Sequence, residues 1–300
     1  LSNMNKKIKR ANDIKKAESI FSCPICRSQM RVCDTNSFVC TNGHTFNIAK
    51  QGYVNFLDHP IKTNYGKDVF EGRRAIITQS GLFAPLYHSI ADVIACQKAH
   101  SMNKRTLAML DTGCGEGSHL SRIYKHISSF NGDSVTGVGI DISKEGILAA
   151  SKKYDELIWS VADLANTPFN DRQFDVLLNI LSPANYKEFK RLLTDDGIVI
   201  KVVPRRDYLK EVRQFFFDNK EKQTYSNADI IARFTHNFHH VKYLNLRYTQ
   251  ILAKTEIQAL VQMTPLTWDQ SKKKIHQFLE KEFIDLTVDL DLLIGRKTTK

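Results

Sequence analysis

Leu107-Ala108-Met109-Leu110-Asp111-Thr112-Gly113-Cys114-Gly115-Glu116-Gly117 decides how the rest of the chain is read. The apolar run suits a strand buried on both faces of a parallel sheet, and the acid that ends it leads into three glycines at alternate positions. Glycine removes the Cβ that would hold a ligand away from the backbone, and it allows a tight turn. A dinucleotide fold would want Gly-x-Gly-x-x-Gly, with the third glycine opening a helix beneath a pyrophosphate. The spacing here is Asp-x-Gly-x-Gly-x-Gly, and residues 111–120 contain no such dinucleotide match.

Outward from this turn, further apolar strands also end in polar side chains. Val135–Ile142 reads VTGVGIDI and closes on Asp141; Leu157–Leu164 reads LIWSVADL and closes on Asp163; Phe174–Leu178 runs into Asn179. Any one such Asp is commonly a helix cap or a loop residue. Three strand-ending acids in order, Asp111 leading into the glycine turn and Asp141 and Asp163 after it, are hard to assign to capping. An acid at the end of a second strand can accept two hydrogen bonds from a ribose diol, and Asp163 is placed to meet an adenine amino group. The segment resembles motif I of the class I S-adenosylmethionine-dependent methyltransferases. The expected cofactor residues are Asp111, Gly113 and Gly115 in the turn, Asp141 with Ile142, Asp163 with Leu164, and Asn179.

Gly197–Val203 reads as a fifth strand, and Val241–Tyr248 and Phe283–Ile294 as two more. The last alternates, with Ile284, Leu286, Val288, Leu290, Leu292 and Ile294 on one face and Asp285, Thr287, Asp289 and Asp291 opposite. That period of two predicts an antiparallel strand with one wet face. Helices are expected over 117–127, 144–154, 185–193 and 207–217, and over Pro85–His100 with Cys96 in the core. The fold class is α/β: a Rossmann-like class I S-adenosylmethionine-dependent methyltransferase sheet, doubly wound, with an antiparallel closing pair. The cofactor should cross the carboxyl ends of strands one, two and four.

The 300 residues are 42% hydrophobic and 25% charged, ordinary values for a soluble globular chain. No apolar run approaches the ~20 residues of a bilayer span, so no membrane partner is expected. The N-terminal lysines precede no apolar segment, so export is not indicated and cytoplasm is the expected compartment. Residues 1–110 carry 16 Lys+Arg against 7 Asp+Glu, whereas residues 111–300 carry 27 against 25. A basic module beside a nearly neutral core suggests a polyanionic partner. A solubilising basic tail explains Lys6 to Lys16 equally well.

Four of the six cysteines fall between 23 and 40, and Cys23, Cys26, Cys40 and His44 follow the pattern C-x2-C-x13-C-x3-H. Three thiolates and an imidazole close a tetrahedral zinc sphere, which makes the metal structural. Disulfides are the alternative, disfavoured in a cytosolic protein. Cys33 has no partner at knuckle spacing, and Cys114 suits the glycine turn as a small residue. Arg27, Arg31, Lys50, Lys62, Arg73 and Arg74 alternate with Phe38, Phe46, Tyr53 and Phe56. Such a mixture can hold RNA phosphates and stack on unpaired bases, or its aromatics can pack a small domain, with Phe46 and Phe56 expected inside.

The zinc pattern, the stretch AKQGYVNFL at 49–57, GRRA at 72–75 and QMTPLTW at 262–268 together resemble the RlmA family of 23S ribosomal RNA guanine-N1 methyltransferases, which includes relatives conferring resistance to tylosin-type macrolides. The likeness runs from about Phe21 to Arg296. It implies Cys23, Cys26, Cys40 and His44 as zinc ligands, Gly115 and Glu116 as cofactor contacts, and 23S rRNA as partner, with a homodimer as a family trait. Phe83 falls where relatives carry an aromatic touching the cofactor, and Tyr208 where a relative carries a histidine. The expected division is a basic extension (1–20), a zinc-binding RNA-recognition domain (21–60), a linker and helical region (61–105) and a methyltransferase domain (106–300).

The implied reaction is displacement of a methyl group from sulfonium to nitrogen, in which the protein supplies alignment and desolvation. Guanine N1 must lose a proton; Glu116 and Asp207 are candidate bases by position only, and the base stays unassigned. Ser182-Pro183-Ala184-Asn185-Tyr186 breaks the Pro-Pro-aromatic motif of amino-group methyltransferases. Arg205, Arg206, Lys210 and Arg213 suit RNA phosphate or a solvated helix face alike. The alternative is methylation of a small molecule or a protein, with the zinc purely structural.

Overall fold

The computed structural model describes residues 2–297 except 60, 62, 64, 100–105, 132–134, 220–222 and 224; Lys62, His100 and the ends of the chain therefore lie outside the described residues. Among the described residues a small antiparallel sheet runs β1 (Met30–Cys33), β2 (Ser37–Cys40), β3 (Thr45–Asn47). A larger sheet has eight strands in the order β10 (His239–Ala253), β11 (Phe283–Arg296), β9 (Leu193–Pro204), β8 (Phe174–Ile180), β5 (Leu107–Thr112), β6 (Val135–Asp141), β7 (Ile158–Val161), β4 (Val54–Asn55). From β4 to β9 all pairings are parallel, and β11 pairs antiparallel with both β9 and β10. The helices are α1 (Ser2–Lys16), α2 (Lys67–Gln79), α3 (Ala84–Ala99), α4 (Ser118–Asn131), α5 (Lys144–Lys153), α6 (Tyr186–Leu192), α7 (Lys210–Phe216), α8 (Ala228–Asn237), α9 (Lys254–Met263) and α10 (Lys272–Leu279).

The chain runs outward from β5 through β6 and β7, then returns to the other side of β5 with β8. Strand order thus reverses beside β5, and the crevice that opens at such a reversal, outside the carboxyl ends of the strands, is where open α/β sheets bind ligands. β5 is buried along its whole length. Helix starts after β6 and β8 are set locally: Ser143 Oγ accepts from Gly146 N and opens α5, and Asn185 Oδ1 accepts from Glu188 N and opens α6. Gly117, at φ +82°, must be glycine twice over, because a Cβ there would lie 2.4 Å from the Trp159 ring. That ring, fully buried on β7, wedges the turn against the sheet.

Three expectations change in the folded chain. The face of β11 opposite its apolar row is not wet over its middle: Thr287 and Asp289 are buried. The reason is position, since β11 lies inside the sheet and α7 covers it, with Glu211 accepting from Thr287 N at 2.9 Å and from its hydroxyl. Asp289 is matched by Arg205 at 3.1 Å and Arg247 at 3.7 Å. Cys96 is exposed rather than core; the buried face of α3 is Leu86, Tyr87, Ile90, Ala91 and Ile94, and two residues beyond Ile94 the helix has turned to the opposite side. The basic start of the chain is a docked helix, not a tail. Ala11 and Ile14 of α1 are buried, and Arg10 donates to the carbonyls of Ser151 (2.9 Å), Leu157 (3.0 Å) and Tyr154 (3.2 Å), two of them the orphan carbonyls that end α5.

The aromatics of the cysteine segment pack inward. Phe38, Tyr53 and Phe56 are buried and Phe46 half-buried, so they are not free to stack on bases. A small sheet has too little apolar surface to close a core alone. Here it borrows one: Phe21 meets Phe38 at 5.2 Å and Phe169 at 5.1 Å, and Phe21 bridges Phe169 through its backbone. Arg27 is likewise occupied, donating to Thr167 O at 2.8 Å and to Asn166.

Candidate cofactor, acceptor and metal sites

The glycine turn leaves β5 through three left-handed residues, Gly113, Gly115 and Gly117. Gly113 N and Cys114 N donate to Ile140 O, and Gly115 N donates to Asp141 Oδ2 at 2.7 Å, which ties the turn to the end of β6. Asp141 Oδ1 accepts from Ser143 N at 2.8 Å, so its carboxylate is aimed by two backbone donors and keeps free lone pairs. Above the strand ends lies a cavity of about 300 Å³. Of the expected cofactor residues, Gly113, Gly115, Asp141, Ile142, Asp163 and Leu164 line it together.

The other expected residues divide. Asp111 and Glu116 sit beneath the turn, each about 1% exposed, and each keeps one buried carboxylate oxygen without a hydrogen-bond partner. Burial pushes the Asp111 carboxyl up to about 7, and raises that of Glu116 against the opposing pull of Arg73. Neither residue lines the cavity, and Glu116 Oε1 already faces Arg73 Nε at 3.7 Å; Asp111 Oδ1, a buried acceptor without a partner beside the turn, is what a cationic amino group needs, so the residues present fit the amino-acid end of S-adenosylmethionine. Phe83 and Tyr208 line a second cavity of about 520 Å³ instead, in which Phe83 packs edge-on to His119 at 5.2 Å. Asn179 lines neither cavity. It is fully buried, its amide donating to Thr112, Ser182 and Pro183 and its carbonyl accepting from Lys201, so it braces the site.

The two cavities share the wall Tyr65, Arg73, Leu181, Ser182 and Pro183. Sequence reasoning assigned Arg73 to RNA and passed over Tyr65, His119 and Lys201. The available signal was the pair of motifs GRRA and QMTPLTW. Gly72 lets α2 press onto α9, since a Cβ there would sit 2.7 Å from Ala259 O and 2.8 Å from Gln262 Cβ. That contact carries Arg73 over the glycine turn, 3.7 Å from Glu116, and brings Tyr65 to within 5.4 Å of Trp268. His119 is buried, shares a hydrogen bond with Tyr87 Oη at 3.1 Å, and is held neutral because burial drives its pKa well below the usual range. Asp207, a candidate base, is paired with Arg247 at 2.6 Å, and Arg205 is paired with Asp289 and Asp291.

Asp111 makes a pH dependence testable. Its folded pKa lies above the ordinary value of 3.8, so the native state holds a proton that the unfolded chain has lost, and stability falls as pH rises from about 4 through about 7. Asp111→Asn removes that fall. The ligand-free variant is expected to melt higher than wild type near pH 8, by an amount on the order of a few kcal/mol at most, and to match it near pH 4. Calorimetric melting across this range decides; a difference that does not grow with pH refutes the assignment.

Cys23, Cys26, Cys40 and His44 place their ligand atoms within 4.8 Å of one another. Cys26 and Cys40 sulfurs are 3.7 Å apart, and His44 Nδ1 is 3.4 Å from Cys40 and 3.6 Å from Cys23. Tetrahedral zinc with Zn–S near 2.3 Å puts sulfurs roughly 3.8 Å apart, so the set fits that ion. Cys33 is exposed and stands outside the cluster.

A doubly wound sheet with an acid-and-glycine turn at its switch point and acids at the next two strand ends defines a class I S-adenosylmethionine-dependent methyltransferase. Residues 103–282 match the family model described as a methyltransferase domain, and residues 21–63 match that of the RlmA N-terminal zinc ribbon. The chain is 47% identical over 280 residues to YxjB of Bacillus subtilis (strain 168), whose name places it among the 23S rRNA (guanine-N(1)-)-methyltransferases; the match covers 93% of this chain and 98% of that one. It is 29% identical to the 23S rRNA (guanine(748)-N(1))-methyltransferase of Streptomyces fradiae, over 84% of this chain and 87% of the other. The chain belongs to the RlmA family of 23S rRNA (guanine-N1)-methyltransferases. Its cofactors are accordingly S-adenosylmethionine and a structural zinc ion, and among the described residues no helix is long and apolar enough to cross a membrane.

Proposed function

We propose that this chain methylates N1 of one guanine in a hairpin of 23S rRNA, in the cytoplasm. The observation that carries the reading is the pair of cavities meeting at Leu181–Pro183, one bounded by the acids and glycines of the strand ends, the other large enough for a base. S-adenosylmethionine, when bound, supplies an electrophilic methyl group. Asp141, Asp163 and the turn residues Gly113 and Gly115 would hold it, with Asp111 and Glu116 beneath; Cys23, Cys26, Cys40 and His44 would hold zinc. Guanine N1 is paired in a duplex, so the target must be unpaired or extruded before it can enter the second cavity. The neutral His119 with Phe83, Tyr208 and Leu181 gives that cavity a largely apolar lining that excludes water and aligns the base.

The expected division into extension, zinc-binding domain, helical region and methyltransferase domain belongs to the same proposal. So does a homodimer, supported by the edge strand β10 with its exposed Tyr243, Leu244 and Ile251; a monomer by light scattering would remove it. The test of the function is nucleoside analysis of large-subunit RNA from cells lacking the gene. One 1-methylguanosine is expected to disappear, and the purified protein to restore it with labelled S-adenosylmethionine. Unchanged RNA, with the label passing to another acceptor, overturns the reading.

A further inference from the structure

Among the described residues no acid lines the acceptor cavity. Its titratable lining groups, among the described residues, are Arg73 from α2, His119 from α4, Lys201 from β9, Arg213 from α7, and the phenols Tyr65, Tyr208 and Tyr225. Both carboxylates that sequence position offered as bases are elsewhere: Glu116 lies under the turn and Asp207 is paired with Arg247. The cavity is built to meet negative charge, and its cations differ in what already occupies them. Arg73 faces Glu116, and Arg213 donates to Tyr208 O while lying 5.5 Å from the Tyr225 ring centre.

Among the described residues Lys201 has no partner of opposite charge. It stands in register with Asn179 across β9 and β8 and is 4% exposed. Its Nζ donates to Asn179 Oδ1 at 2.5 Å and to Ser182 O at 3.0 Å, so two of its three protons are engaged by neutral acceptors. Ser182 belongs to the wall between the two cavities, which places this ammonium where donor and acceptor must meet. A buried cation without a carboxylate is costly, and burial alone lowers its pKa to about 8. A fold that keeps such a group beside a binding cavity leaves its compensation to the ligand.

We infer that Lys201 is a catalytic cation of the acceptor site, its ammonium holding O6 of the target guanine and stabilising the charge that N1 and O6 share once the N1 proton has left. The inference rests on the guanine-N1 reading above. The N1–H electron pair stays on the base and the proton passes to water. That pair then forms the N1–methyl bond, while the pair of the breaking C–S bond returns to sulfur as a neutral thioether. Oriented charge of this kind, in a site shielded from water, is worth about 10²–10³-fold in rate. Asn179 is the positioning residue, since its carbonyl fixes the ammonium.

The test uses the full-length protein and a hairpin fragment of 23S rRNA that the wild type methylates. Lys201→Gln keeps a donor for Asn179 but removes the charge, and is expected to lower kcat by about 10²-fold, with KM raised only by the smaller factor that loss of the O6 contact costs in binding. Lys201→Met should do the same, and unchanged affinity for S-adenosylhomocysteine in either variant shows that the fold survives. The wild-type kcat/KM, which reports groups of the free enzyme, should level off near pH 8, where gain of ionised base is offset by loss of the Lys201 proton. In the variants kcat/KM should keep rising with pH. Substituting 8-azaguanosine, whose N1 is more acidic, should speed the variants more than the wild type. In binding, with S-adenosylhomocysteine present, wild type should prefer guanine over 2-aminopurine, which lacks O6, and the variants should lose that preference. Full kcat in both variants, or equal gains from the acidic analogue, overturns the role of Lys201 alone. A wild type that forms no 1-methylguanosine overturns the acceptor reading and this inference with it.

Discussion

Cys40→Ser is expected to strip the metal from the ribbon and to unfold β1 to β3. Cys40 ends β2, accepts from His44 N at 3.3 Å, and contacts both Cys26 and His44 across the cluster, so its loss opens the centre of the set. The three strands are four, four and three residues long, too short to persist by pairing alone. Structural zinc contributes about 10–16 kcal/mol of apparent binding energy at neutral pH, most of which is folding energy of the segment that holds it. The damage should spread, because Phe38 of the ribbon and Phe169 of the catalytic domain pack on the same Phe21 ring. Metal analysis is expected to fall from one zinc per chain to well below one, amide exchange over 30–47 to become fast, and the melting temperature of the whole chain to drop. Unchanged zinc content would sink the ligand assignment.

Asp141→Ala should all but abolish binding of S-adenosylmethionine, and by two routes. The direct route is the carboxylate itself, which lines the smaller cavity with free lone pairs and would accept from a ribose diol. The second is through the turn: Asp141 Oδ2 holds Gly115 N at 2.7 Å, and without it a left-handed glycine loses its anchor. Two charge-assisted hydrogen bonds at roughly 1.5–3 kcal/mol each predict a loss of affinity of two to four orders of magnitude. Calorimetric titration measures it directly. Asp141→Asn, which can still accept from Gly115 N, should recover the turn but only part of the affinity. Wild-type affinity in the alanine variant would remove Asp141 from the cofactor site.

The strand-end cavity proposed for the cofactor was legible because it is local. A strand end, a turn and a following acid occupy a few consecutive residues, and parallel strands in one sheet bring their carboxyl ends together by construction. So Gly113, Gly115, Asp141, Ile142, Asp163 and Leu164 were found from spacing and do line one cavity. The same method placed Asn179 at a strand end but could not tell that its carboxamide turns into the sheet to hold Lys201. Lys201 itself lies in a run of apolar β9 residues, where one lysine reads as an interruption and not as a site. The β11 aspartates read as wet because alternation reports two faces, not what covers the second one.

Strand period, turn chemistry and ligand spacing are written over short stretches of chain, and they were enough to define a doubly wound sheet, a glycine turn tied to methyl transfer and a Cys3His cluster. The acceptor side was decided by tertiary contact alone. Its walls come from α2, α4, α7, β9 and the loop after α9, segments brought together by the burial of their apolar faces and by the close approach that Gly72 permits. Burial is a property of the whole packed chain. Only packing could turn Arg73 toward the glycine turn, close Phe38 and Phe56 into one core with Phe21 and Phe169, and leave Lys201 as a buried charge facing the cavity.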